Sequence, residues 1–249
     1  MNILLTNDDG YTSEGIKALY RALCIKHKVF ILAPSSQKSA VGHGVTINKS
    51  MKFQKIEHGF ALDGTPADCV KVAIYGLFKE IKFDLVVSGI NDGANLGTDV
   101  FYSGTIAGAR EGLINNIPGI ACSMSRPVDK QKLDSAALIV EKLVSNLTDD
   151  FLAQKLILNI NFPCKHFFKE IKLTHLGVKI YNETIFIEDK NGISYASLMF
   201  PDKLSFISKE NSDLDCIESG AISVTPITNE HLSPPAIETI SSILSHINF

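Results

Sequence analysis

Short apolar runs alternate with helically spaced apolar positions through the first two-thirds of the chain. Ile3-Leu4-Leu5 predicts a buried strand over residues 2–6, and Ile16, Leu19, Tyr20 and Leu23 fall at helical spacing over 14–24. Val29-Phe30-Ile31-Leu32 predicts a second strand, ended by Ala33-Pro34. Ser35 to Thr46 is polar and glycine-containing and reads as loop, while loose alternation over 45–62 predicts short antiparallel strands. Thr65-Pro66-Ala67-Asp68 has the makings of a helix start: a threonine cap, proline in the first turn and an acid at the third position. Val70, Ala73, Ile74, Leu77 and Phe78 line one face of that helix.

Asp84 to Val87 predicts the next strand, Ser103 to Leu113 a helix that tolerates glycines, and Pro118 to Cys122 another strand. Leu133, Ala136, Ala137, Val140, Leu143, Val144 and Leu147 form an amphipathic helix, followed by a strand over Leu156 to Phe162. This alternation predicts an α/β fold, a Rossmann-like, doubly wound and mostly parallel sheet. The pattern then changes. Residues 166–209 carry shorter alternating runs around Asp189-Lys190-Asn191-Gly192, where Asn-Gly signals a hairpin turn. An isolated hairpin is marginal in water, so this one is expected to pack against something, plausibly another subunit. Ala221 to Ile227 predicts a strand and residues 235–247 a closing helix. The expected organisation is one domain over 1–249, with a catalytic core at 1–163 and an arm, final strand and C-terminal helix at 164–249.

Composition narrows the function classes. The chain has 249 residues, 45% hydrophobic and 20% charged, which suits a folded protein with a substantial core. A formal net charge of −3 gives no basic footprint for a nucleic-acid duplex. A phosphorylated substrate would therefore need a metal or backbone amides to hold it. The five cysteines, Cys24, Cys69, Cys122, Cys164 and Cys216, have no Cys-x-x-Cys spacing, which argues against a disulfide framework and a zinc site. No apolar run approaches ~18 residues, so no signal peptide, membrane span or membrane partner is expected, and a reducing cytoplasm is the simplest compartment.

Candidate chemistry sits where strands end. Asn7-Asp8-Asp9-Gly10 follows the first strand, and adjacent like charges cost free energy unless a cation or substrate uses them. A polar turn is the ordinary alternative, since Asn, Asp and Gly all form turns. Oxygen donors in this position favour magnesium or manganese over zinc. A second segment, Ser88-Gly89-Ile90-Asn91-Asp92-Gly93-Ala94-Asn95-Leu96-Gly97, follows Leu85-Val86-Val87 and reads as a glycine-rich polar loop sharing the same site. Asn91 and Asn95 offer neutral groups to a metal or phosphate. Ser103-Gly104-Thr105 opens a helix whose free amides suit a phosphate, although Ser103 is equally an ordinary cap. Ser39 and His43 carry little signal by themselves, and Asp68 is explained by its capping position. Gly108, inside a helix, points to close packing against the sheet or a ligand.

Several blocks together resemble one family. Met1 to Tyr11, Gly64-Thr65-Pro66-Ala67-Asp68-Cys69-Val70, Val87 to Asn91 running into Gly93 to Gly97, Tyr102-Ser103-Gly104-Thr105, Ala109-Arg110-Glu111-Gly112 and Ser223-Val224-Thr225-Pro226 are similar, in the same order, to the SurE nucleotidases. The resemblance implies a metal-dependent phosphatase acting on nucleoside 5′- and 3′-monophosphates, with one divalent ion per subunit, Mg²⁺ or Mn²⁺. It implies that Asp8, Asp9, Ser39 and Asn91 hold the ion, with Ser39 in Lys38-Ser39-Ala40. It places Asn95, Ser103, Gly104 and Thr105 on phosphate-holding loops and implies a homodimer or homotetramer with exchanged arms. Asp8 or Asp9 would accept the proton from the attacking water. Three rivals stay open. A phosphatase forming an aspartyl-phosphate would carry Asp-x-Asp rather than adjacent acids. A phospho-receiver domain would need a later acceptor aspartate, and a nucleotide-binding protein would lack turnover.

Overall fold

The computed structural model describes residues 1–154, 156–164, 168–199, 205–207 and 210–228. The expected closing helix at 235–247 lies outside the described residues. β1 (Asn2–Thr6) leads into α1 (Glu14–Leu23) and β2 (Lys28–Pro34). The antiparallel pair β3 (Phe53–Ile56) and β4 (Gly59–Leu62) precedes α2 (Pro66–Val72), which continues as a π-helical turn over Ala73–Leu77. β5 (Leu85–Asp92), α3 (Gly104–Ile114), β6 (Gly119–Met124), α4 (Lys130–Ser145), α5 (Asp149–Ala153) and β7 (Leu156–Phe162) complete the repeating part. Beyond it come β8 (Ile171–Leu173), β9 (Val178–Ile180), β10 (Thr184–Lys190), β11 (Ile193–Met199), β12 (Ser205–Ile207), α6 (Asp213–Ser219) and β13 (Ile222–Thr228).

Nine strands form one sheet in the order β3-β4-β2-β1-β5-β6-β7-β13-β8. The run from β4 to β7 is parallel, as the α/β alternation predicts; β3 and β13 pair antiparallel with β4 and β7. The chain builds outward from β1 through β2, then returns to place β5 on the other side of β1. That reversal opens a crevice beyond the carboxyl ends of β1 and β5, the place where open α/β sheets take ligands.

Strand pleat sends alternate side chains to opposite faces. Ile3 and Leu5 join the α1 and α4 side chains Ile16, Leu19, Leu133 and Val140 on one face. Leu4 turns to the other, with Leu32, Leu62 and Val86 under Cys69 and Val70 of α2 and Ala73 of the turn that continues it. Caps fix the helix starts. Ser13 accepts from the Ile16 amide, and Thr65 and Asp68 form a reciprocal capping box, the explanation the sequence offers for Asp68. Asp68 also accepts from the Thr46 amide at 2.8 Å and from its hydroxyl at 2.7 Å, so it ties down the loop before β3 as well.

Several expectations need correction. Within 45–62 the expected short antiparallel strands do form, at 53–56 and 59–62, but the residues before them are not strand. The segment beginning at Ser88 is strand as far as Asp92, with its register against β6 shifting between Ser88 and Asn91, so only its second half is loop. Helices α5 and α6 were not foreseen. Ser212, with Asp213 and Asp215 in the following turn, carries an ordinary N-terminal signal for α6, hidden by the weak patterning around it. The hairpin forms as predicted: Lys190 pairs with Ile193 across a two-residue turn, and Asn191 and Gly192 take φ values of 53° and 78°.

Gly108 explains how α3 lies so close to the sheet. A β-carbon there would stand 2.9 Å from both Ser88 Oγ and Thr6 Cγ2. Gly108→Val is expected to destabilise the protein by about 1–3 kcal/mol, the usual cost of overpacking. Urea denaturation should show a lower midpoint at an unchanged slope.

Candidate active site

The end of β1 is rigid before any ligand is considered. Thr6, Asn7 and Asp8 are buried, and the Asn7 amide donates to the Gly10 carbonyl and to Ser13 Oγ, both at 2.9 Å. Gly10 turns the chain with φ of 92°, and the Tyr11 amide then donates to the Pro34 carbonyl at 2.9 Å. The Lys38 amide donates to the Asp8 carbonyl at 2.7 Å, which draws the loop bearing Ser39 over the strand end.

Asp8 is 6% exposed, and its Oδ1 accepts from the Thr105 hydroxyl at 2.5 Å. Burial pushes its carboxyl up to about 6, against the downward pull of the Thr105 hydrogen bond. Asp9 is less buried; burial raises it too, opposed by the Asp92 amide, which donates to Asp9 Oδ2 at 2.9 Å. That bond joins the β1 turn directly to the end of β5. Gly104 makes a further close approach possible, since a β-carbon there would lie 2.8 Å from Asp8 Cβ. Only glycine lets the start of α3 settle against this carboxylate.

Asp8, Asp9, Ser39, Asn91, Asn95 and Ser103 line one cavity of about 170 Å³, with Ala40, Asp92, Asp99, Tyr102 and Tyr181 completing the wall. Residues far apart in the chain thus meet within a small volume. Gly104 and Thr105 stand behind it: Thr105 is fully buried, its hydroxyl engaged by Asp8. Ser103 caps α3 by accepting from the Ile106 amide at 3.1 Å while also facing the cavity. Asn91 donates to the Gly93 carbonyl at 2.8 Å.

The donors are carboxylate, hydroxyl and amide oxygens, a hard set that suits magnesium or manganese. Among the described residues neither Asp8 nor Asp9 has an ion-pair partner within the protein, although burial disfavours charge on both. A divalent ion would supply that missing compensation. Among the described residues no group of three His, Cys, Asp or Glu could hold a metal, so the set depends on the serine and asparagine beside its two acids.

Two supporting networks escaped the sequence reading. Asn95 Nδ2 donates to Ser123 Oγ at 2.8 Å, and its backbone amide donates to Asn161 Oδ1 at 2.8 Å. Asn159 and Asn161 both donate to its carbonyl. Their signal was available: two asparagines alternate with apolar residues on one face of a buried strand. The second network centres on Glu111, which is 1% exposed and accepts from Lys71 at 2.8 Å and Asn115 at 3.0 Å, with His43 Nε2 at 2.9 Å from its other oxygen. His43 is thus a structural tether for the Ser39 loop, the commoner role for a lone histidine.

The family model described as "Survival protein SurE" matches residues 3–183, more than half of the chain. The chain belongs to the SurE family. Proteins named 5′-nucleotidase SurE from Campylobacter jejuni (strain 81-176) and Petrotoga mobilis are 43% and 41% identical to it over 234 and 240 residues. The first alignment covers 90% of each chain, and the second 92% of this chain and 93% of its relative. The crystal structure of the SurE protein from Aquifex aeolicus matches with a TM-score of 0.82 at 34% identity, covering 98% of this chain and 100% of that one. The SurE sheet therefore carries the cavity just described.

Glu111→Ala is expected to cost about 1–3 kcal/mol through lost charge-assisted hydrogen bonds. Limited proteolysis should then cut more rapidly within residues 35–46, the loop that His43 no longer anchors.

Proposed function

We propose that the protein hydrolyses nucleoside 5′- and 3′-monophosphates to nucleoside and phosphate, using one divalent ion at Asp8, Asp9, Ser39 and Asn91. The observation that carries this reading is the convergence of these four oxygen donors on one small cavity whose rim includes Ser103 at the start of α3. Hydrolysis of nucleoside monophosphates follows from membership of a family whose relatives are named 5′-nucleotidase. When bound, the ion supplies Lewis acidity toward a phosphoryl oxygen and a lowered pKa for water.

The chain's own residues do the rest. Amides at the α3 N-terminus and the Asn95 side chain hold the equatorial phosphoryl oxygens, where charge accumulates during in-line attack. Thr105 fixes Asp8 in one orientation, and the Asp92 amide does the same for Asp9. One of these two carboxylates takes the proton from the attacking water. Asp8→Asn and Asp9→Asn are each expected to lower kcat/KM for nucleoside monophosphates by roughly 10²–10³-fold, the scale of losing one preorganised electrostatic contact. A chelator should abolish phosphate release by the wild type, with manganese or magnesium restoring it. Near-normal turnover in both variants would refute the assignment.

We also assign residues 164–249 to an oligomerisation arm, giving a homodimer or homotetramer. Ile185, Phe186, Ile187, Ile193, Tyr195, Leu198 and Met199 are all exposed on the β10–β11 hairpin, with Ile187 at 76%. A two-stranded ribbon apolar on both faces is marginal in water and gains by burial against a second copy. Phe186→Lys combined with Ile187→Lys is expected to reduce the sedimentation coefficient toward that of a monomer. An unchanged sedimentation profile would reject the arm as the contact.

A further inference from the structure

The cavity of about 170 Å³ has room for a phosphate and an ion, whereas small-molecule sites that enclose a whole ligand run to about 300–1,000 Å³. The nucleoside must therefore lie on the rim. Past Asp9 and Asp92 lies a crevice of about 390 Å³ lined by Ser13, Glu14, Gln37, Asp129 and Lys130, with Ile90, Val128 and Leu133 as its apolar part and no aromatic ring. Tyr102 and Tyr181 are the aromatic residues of the cavity wall itself.

Tyr102 immediately precedes Ser103 and is 57% exposed, a large ring left to solvent next to the phosphate-holding start of α3. Its backbone is fixed on both sides: its amide donates to the Asp99 carbonyl at 3.0 Å, and its carbonyl accepts from the Gly42 amide at 3.0 Å. Tyr181 meets it edge to face, with centroids 6.2 Å apart and planes at 85°. Tyr181 is itself held, because its hydroxyl donates to Asp99, which also accepts from Lys179. Lys179 balances the Asp99 charge, so the rim does not set an unpaired acid against an incoming phosphate.

We propose that Tyr102, braced by Tyr181, is the platform on which the nucleoside base stacks, giving selectivity for nucleotides over phosphate esters without a base. This inference rests on the nucleotidase reading above and adds the residue that recognises the nucleoside. Stacking on a ring accepts any base, since every base has a π-face, so purine and pyrimidine nucleotides are both taken.

The test compares AMP with ribose 5-phosphate. Tyr102→Ala is expected to lower the ratio of their kcat/KM values by roughly tenfold, mainly through a higher KM for AMP, the scale of losing one stacked base. Tyr102→Phe keeps the ring and is expected to retain the wild-type ratio. The chain has no tryptophan, so Tyr102→Trp places a single indole at the rim. Adenosine should quench its emission saturably, and ribose should not. An unchanged ratio in Tyr102→Ala, or emission unaffected by adenosine well above the KM for AMP, overturns the platform while leaving the nucleotidase reading intact. Failure of the wild type to hydrolyse AMP overturns both.

Discussion

A carboxylate just past the end of a buried strand sets the terms for everything around it. Asp8 cannot retreat to solvent, because β1 lies inside the sheet and the start of α3 presses on it from above. Its neighbours are correspondingly constrained. Position 104 has no room for a side chain, the hydroxyl at 105 must point at the carboxylate, and the Ser39 loop must cross where the Lys38 amide reaches the Asp8 carbonyl. Burying an anion without compensation is costly, and among the described residues Asp8 receives hydrogen bonds but has no ion-pair partner. A dication held there, as proposed above, would lower the free energy of that arrangement, and its affinity would be a property of the fold as well as of the ligand list.

The topology makes this possible. In a singly wound sheet the ends of β1 and β5 would be covered by consecutive connections. Here the chain leaves β1 in one direction and returns in the other, so the turn after β1 and the end of β5 face each other across an open crevice. The bond from the Asp92 amide to Asp9 spans that crevice at its base. Below it, the Asn95 carbonyl is held by two asparagines of β7, which couples a loop to the rigid centre of the sheet. Such anchoring lets a loop hold a ligand without the looseness loops usually have.

What could be read from the chain beforehand follows from how local each signal is. The alternation of strands and helices, the Thr65 cap and the Asn191-Gly192 turn depend on neighbours in sequence, and all are found in the structure. Asp8, Asp9 and Asn91 stood out because polar residues crowd the ends of apolar runs. Ser39 had no such context, and only its resemblance to a family pattern singled it out. Asn159, Asn161 and Glu111 act across long separations, so no window of sequence contains both partners. Tyr181 is the extreme case: it sits in a weakly patterned segment and reaches the cavity wall through tertiary contacts with Asp99 and Tyr102. The extension of β5 to Asp92 was missed because glycine and asparagine disfavour strands in isolation, a preference that burial between β1 and β6 overrides here.

Asp99 joins two parts of the molecule with different tolerances to change. Among the described residues the side chains of the ribbon formed by β10 and β11 are exposed, so within one chain its composition is free to change. The short stretch from Lys179 to Tyr181 at its base is not, because both of these side chains bind the one carboxylate. A change at Lys179 or Tyr181 would therefore be felt at the cavity wall, whatever the ribbon beyond them carries.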